Sequence, residues 1–423
     1  VNLILNIPIE LRLAGLFVFG VGLGSLINLG VYTLSWETRL ISPWWRPSHH
    51  APPRYWQDRV PILGWLGLRR ETDLHGKGFW IRPMVLEIVC GVGLAALYWW
   101  EICEFGLLPQ SVPAGLAGNA MAVVHAQYLC HVVLFSLMIV ASLIDVDEKI
   151  IPDTITVPGT LVGLLAAAAY PWSLLPESIL LFRQHVEIQF LRTTSPNAWP
   201  NGLAGYPQPW SLVIGLGCWA AWCFALMPRT WYSRHGWVRA FGLMIARLRR
   251  ESHTWLIGLM GLLGAACIAA VWFHGASHWI GLLSALVGMA ASGGIVWAVR
   301  VIGTKALGRE AMGFGDVTLM AMIGAFLGWQ ACLAVFFLAP FAGLLIGVLN
   351  LIFRRDHEIP YGPFLCLAAV GVVIAWIRVW EIGVPYFRLG WVVPLVIVAC
   401  LAVMAVLLTL IRLIKLAFGA GGH

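Results

Sequence analysis

Residues Ala120–Ile144 read AMAVVHAQYLCHVVLFSLMIVASLI, and the next residue is Asp145. The run contains no Asp, Glu, Lys or Arg. As a helix rising 1.5 Å per residue it reaches about 37 Å, more than the ~30 Å of bilayer hydrocarbon. Comparable apolar runs recur near 11–34, 83–102, 155–175, 209–228, 254–275, 279–301, 316–333, 335–353, 363–380 and 389–411. Between 316 and 353 the only turn signal is Gly328-Trp329-Gln330. The 423 residues are 60% hydrophobic and 11% charged, with a mean hydropathy of +0.83. A soluble domain is nearer half apolar and a quarter charged. The composition excludes a soluble enzyme, a disordered regulator and a collagen-like fibre. The expected fold class is all-α, a polytopic transmembrane helix bundle of about 11 spans (roughly 9–12) set in a lipid bilayer.

The formal charge is +7, but the basic residues sit in short loops and form no stripe that could track phosphates, so no nucleic-acid partner is expected. They orient the chain instead. With the N-terminus outside, only Arg12, Arg183, Arg192, Arg378 and Arg388 lie externally, and the remaining 22 of 27 lie inside. That is the positive-inside arrangement. The first apolar run lacks the charged start and cleavage site of a signal peptide, so it is expected to stay as a helix. The nine cysteines form no CxxC pair and suggest packing residues, with no metal site.

Six segments are expected. Residues 1–34 form the first transmembrane helix, and 35–82 a small cytoplasmic loop subdomain. Helices in 83–175 carry Asp145. Segment 176–278 has the character of an insertion with two spans and the basic loop 229–253, and its external part 176–208 suggests a surface loop. Helices in 279–380 carry a second acid, Asp316, and 381–423 holds an extra span and tail.

Aspartate is scarce, with Asp58, Asp73, Asp145, Asp147, Asp153, Asp316 and Asp356 making the full set. Asp145 ends an apolar run, and Asp316 opens one after Gly313-Phe314-Gly315. Ionised carboxylates are costly near hydrocarbon and face a bundle interior or a wet cavity. Both acids lie at the same expected membrane depth. Two such groups are what aspartyl proteolysis requires, one as general base on water and its protonated partner as donor to the scissile carbonyl. Two carboxylates in one site cannot both ionise cheaply, so the pair holds one proton. Gly313 and Gly315 leave room for backbone or substrate beside Asp316. Two plainer readings stand beside this one: Asp316 as an acid favoured by a helix N-terminus, and Asp145 as a helix-end acid reaching water.

The stretches Leu143–Asp153 (LIDVDEKIIPD) and Gly313–Trp329 (GFGDVTLMAMIGAFLGW) resemble the two aspartate motifs of the type IV prepilin peptidases, the GxGD membrane aspartyl proteases. Glu358–Phe364 (EIPYGPF) is similar to that family's IPxGPF turn. Gly24–Tyr32 (GSLINLGVY), Val60–Leu66 (VPILGWL) and Arg82–Glu87 (RPMVLE) are similar to its first helix and first loop. The resemblance implies Asp145 and Asp316 as the catalytic pair, supported by Gly313, Gly315, Pro152, Asp153, Pro360, Gly362 and Pro363. Asp147 and Asp153 also read as ordinary loop acids. The implied activity is metal-independent cleavage of the N-terminal leader from prepilins or pseudopilins. It would take place at the cytoplasmic face of a bacterial plasma (inner) membrane, in the service of type IV pili or protein secretion.

Many members of the family also methylate the new N-terminus with S-adenosylmethionine. No glycine-rich cofactor loop is readable here, and methylation is left open. Glu87 is a candidate support for that reaction or for leader binding, and equally reads as a helix-end acid paired with Arg82. Many members carry two CxxC pairs in the first loop that are thought to hold zinc. Here 35–82 has no cysteine, so zinc is not expected, and His49, His50, Asp73 and His75 do not have the spacing of a replacement site. Two other classes fit the same composition: a proton-coupled transporter and a non-catalytic or repurposed membrane scaffold.

Overall fold

The computed structural model describes residues 6–37, 41–45, 52–109, 117–181, 185–227, 252–308, 312–352 and 360–417, with Arg39, Gly242 and Glu310 as isolated positions. The long helices are α1 (Ile9–Leu34), α2 (Ile81–Tyr98), α3 (Ala117–Glu148), α4 (Asp153–Ala169), α5 (Pro209–Leu226) and α6 (Ser252–His274). They continue as α7 (Ala276–Leu307), α8 (Phe314–Ile352), α9 (Gly362–Ile374), α10 (Trp376–Phe387) and α11 (Val392–Ala417). One antiparallel hairpin pairs β1 (Pro176–Leu181) with β2 (His185–Phe190). The chain is an all-α, polytopic helical membrane protein.

Among the described residues, eight helices are long and apolar enough to cross a bilayer, or nine if α9 and α10 count as one bent span. This is fewer than the eleven expected, for identifiable reasons. Helix α4 has only 17 residues. The 363–380 run breaks at Ala375, where α10 leaves α9 at 90°. The stretch α8 is two helices that meet at Gly328, whose φ of 81° and ψ of 166° are non-helical. Gly315 packs on Ile151, Ile151 reaches Gly362, and Phe364 lies against Gly343. A straight helix would hold 315 and 343 about 42 Å apart. Helix α8 therefore reverses at Gly328, where Gly-Trp-Gln had been the only turn signal.

Close approach explains many glycines, as expected where lipid removes the hydrophobic drive and helices associate through small residues. A Cβ on Gly288 would lie 2.3 Å from the Gly324 carbonyl, and one on Gly324 would meet the Gly288 carbonyl at the same distance. That contact joins α7 to the first half of α8. Gly20 and Gly24 of α1 likewise touch the α2 backbone at Cys90, Gly91 and Glu87. The main core gathers Ile27, Leu134, Ile144, Ile155, Met322, Ile323 and Leu365 from five helices.

Two connections pack against the bundle over their described residues. Between α1 and α2 lies a short helix, Leu63–Leu68, with Trp65 and Leu68 buried. Around it Arg54 grips Glu71 with two bonds (2.9 and 2.7 Å) and Arg70 pairs with Asp58. The segment 176–208, expected as a surface loop, is instead a packed cap at the end of the bundle away from Asp316. Glu177 and Ser195 are buried and hydrogen-bonded to each other. Trp329 Nε1 donates to the Thr193 carbonyl at 2.9 Å, and Trp376 Nε1 to Pro176 at 2.7 Å. The signals for this cap are long-range, so local turn residues alone suggested a loop.

Candidate active site

Asp145 ends the apolar face of α3, and Asp316 sits in the first turn of α8. Both are buried, at 5% and 7% exposure, so neither carboxylate is fully solvated. They lie within electrostatic range of one another. Ile151 of the first motif packs against the glycines of the other two. A Cβ at Gly315 would fall 2.7 Å from the Ile151 Cβ, and one at Gly362 would fall 2.8 Å from its Cδ1.

The turn into α9 holds Asp145 in place. The Gly362 N–H donates to Asp145 Oδ2 at 3.1 Å. A Cβ on Gly362 would lie 2.5 Å from that same oxygen, so only glycine allows the contact. Pro363 follows in the first turn of α9, where its missing N–H costs nothing. Pro360 and Tyr361 precede it, and Tyr361 is within electrostatic range of Asp316. Gly313 donates a backbone hydrogen bond to Asp316. Its own Cβ would meet the carboxylate at an ordinary 3.5 Å, so space alone does not demand glycine there.

Other motif residues brace the pair. Pro152 caps α4, and Asp153 in its first turn is hydrogen-bonded to Thr318 of α8. Asp147 pairs with Arg82 (2.6 Å) and Arg39 (3.6 Å). Arg82 is thus occupied by Asp147, and the alternative that paired it with Glu87 does not hold. Glu87 is wholly buried and accepts hydrogen bonds from the Ile62 N–H and from Trp65 Nε1 (2.9 Å), with Ser25 and Asn28 also bonded to it. It fastens the 52–80 segment to α1 and α2.

Sequence reasoning missed four contributors. Arg300 of α7 donates to the Met312 carbonyl at 2.8 Å, pairs with Glu310 and acts electrostatically on Asp316, so it shapes the approach to the second motif. Ile151, Thr318 and Cys366 were not singled out either. A basic residue alone at the end of an apolar run was the available signal for Arg300. His49 and His50, the basic loop 229–251 apart from Gly242, and Glu358-Ile359 lie outside the described residues. His75 is engaged by Glu71 at 3.3 Å. Among the described residues no group of three or more His, Cys, Asp or Glu is placed to hold a metal ion.

Asp145 and Asp316 are thus both buried, and Gly362 and Gly315 beside them pack against the same Ile151. The model of the type IV leader peptidase family matches residues 132–186 and 251–348, stretches that include both acids. Over these two stretches the chain is similar to that family. A prepilin leader peptidase/N-methyltransferase of Myxococcus xanthus is 22% identical over 80% of this chain and 62% of the relative. Relatives with the same name in Pseudomonas aeruginosa (29%, over 38% of this chain and 56% of the relative) and Aeromonas salmonicida (34%, over 21% and 30%) are similar over shorter stretches. The chain thus spans less than two thirds of the length of each of these relatives. No solved structure matches.

The relatives' second name implies S-adenosylmethionine. The cavity of about 660 Å³ beside the pair does not fit it, since apolar side chains make its walls apart from Ser136 and Ser142. A charged sulfonium with adenine and amino-acid groups needs several fixed polar partners.

Proposed function

We propose that this protein is an aspartyl endopeptidase of the plasma membrane. It cleaves the N-terminal leader from a type IV prepilin or pseudopilin-like protein at the cytoplasmic face. The observation that carries the reading is the convergence of Asp145 and Asp316, buried and in electrostatic range, from two separate helices. Low local dielectric strengthens their coupling and favours a single shared proton.

In the proposed reaction the ionised carboxylate takes a proton from a water as its oxygen attacks the scissile carbonyl carbon. The protonated partner gives its proton to the carbonyl oxygen, which forms a neutral tetrahedral diol. In collapse the acid of the pair protonates the leaving nitrogen, the C–N bond breaks, and one diol hydroxyl gives its proton to the other carboxylate as its oxygen becomes the new carbonyl, so the pair again holds one proton. The Gly362 N–H holds Asp145 in one orientation through this cycle.

Incubating the purified chain with a prepilin from the same cell, then weighing the product by mass spectrometry, tests this. A mass loss equal to the leader is expected, and an unchanged mass would refute it.

A further inference from the structure

We propose that the groove bounded by α1, α2, α3 and α9 seats the apolar, membrane-embedded helix of the substrate and presents the bond before it to the aspartates. This deepens the peptidase reading and rests on it.

The groove is continuous with the acid pair. Ser142 and Leu143 line it one turn before Asp145, and Pro363 and Cys366 line it directly after Gly362. Cys366 lies within electrostatic range of both acids. From there the walls run away from the pair along α2 and the turn that continues it (Val89 to Trp100), α3 (Val132 to Leu143) and α9 (Pro363 to Ile374). Each strip rises about 16 Å along its helix. The groove is therefore a trough lying along the bundle, with the acids at one end.

Its size suits a helix laid in to half its depth. The volume is about 660 Å³. Half of a cylinder 10–12 Å across and ~16 Å long occupies on the order of 700 Å³. Cys90, Gly93 and Ala96 make the α2 wall shallow, as small residues do where helix backbones approach in lipid. The two wall hydroxyls are already engaged: Ser136 donates to the Val132 carbonyl at 2.6 Å, and Ser142 is bonded to Cys366. The walls thus offer an apolar partner nothing it must desolvate.

Gly93 supplies the test, because a Cβ there meets no atom within 4 Å and a larger side chain enters the trough without disturbing the bundle. Gly217 on α5, equally open, is the control. The full chain in lipid nanodiscs is assayed with a full-length prepilin. Gly93→Phe should raise KM at least tenfold and leave kcat within twofold, while Gly217→Phe leaves both unchanged. An unchanged KM in Gly93→Phe, an equal rise in Gly217→Phe, or a fall in kcat alone would overturn the proposal. A photo-crosslinking residue at Leu97 gives a reading independent of turnover. Adducts to the prepilin helix support the groove, and adducts to lipid alone at saturating prepilin overturn it. If the wild-type chain cleaves and the groove variant is unaffected, the groove alone fails. If the wild type does not cleave, the peptidase reading fails and the groove proposal falls with it.

Discussion

At the scale of single residues, the site depends on what glycine leaves out. Gly362 brings a backbone donor to Asp145 at a distance where any Cβ would collide with the same oxygen. Gly362→Ala should therefore displace the carboxylate and lower kcat at least tenfold with little change in melting temperature, as leader-cleavage rates and a thermal melt would show. Asp58 gives a pH-dependent prediction away from the membrane. Burial pushes its carboxyl up, but the Arg70 guanidinium and the Tyr55 N–H outweigh that and hold it below its ordinary value. A depressed folded-state pKa gives stability that is present at neutral pH and lost as pH falls through that value. Amide protection across residues 55–70 should thus drop as pH is lowered below roughly 4. Asp58→Asn should show weaker protection at pH 7 and little further acid dependence. The two acids and their glycines were legible in the sequence because charge is scarce among apolar runs. Ile151 and Arg300 were not, because their importance lies in contacts with residues distant in the chain.

At the scale of elements, α7 and the first half of α8 meet through Gly288 and Gly324 with no side chain between them. Gly324→Val would force the helices apart and should cost about 1–3 kcal/mol, the usual range for overpacking. A lower melting temperature in detergent would register it, and an unchanged one would mean that the contact carries no weight. Glu87 plays the corresponding part between the 52–80 segment and the bundle. Glu87→Ala leaves the Trp65 indole N–H and the Ile62 amide without their acceptor, at about 1–3 kcal/mol for the buried indole. Limited proteolysis should then cut within 52–80 while α2 stays intact, and Glu87→Gln should restore much of the protection. The helices themselves were readable from apolar run length. The 90° bend at Ala375 and the hairpin cap at 176–190 were not. Two partners that bury the cap, Trp329 and Trp376, come from distant places in the chain, and no local pattern announces them.

At the scale of the whole molecule, the architecture brings two acids from separate stretches of chain to one end of a helical bundle, and it opens an apolar trough from that point along the helices. The reversal of α8 at Gly328 allows this, since it returns the chain to the level of Asp316 and lets α9 deliver Gly362 to Asp145. The claim that most depends on this arrangement is that neither acid works alone. The measurement that tests it most directly is the leader-cleavage rate of Asp145→Asn and Asp316→Asn beside the wild type, with circular dichroism to verify folding. Loss of a general acid or base costs typically 10²–10⁴-fold. The account predicts a fall of at least about a hundredfold in each variant with the helical signal unchanged. A folded variant of either kind that cleaves within tenfold of the wild-type rate would contradict it.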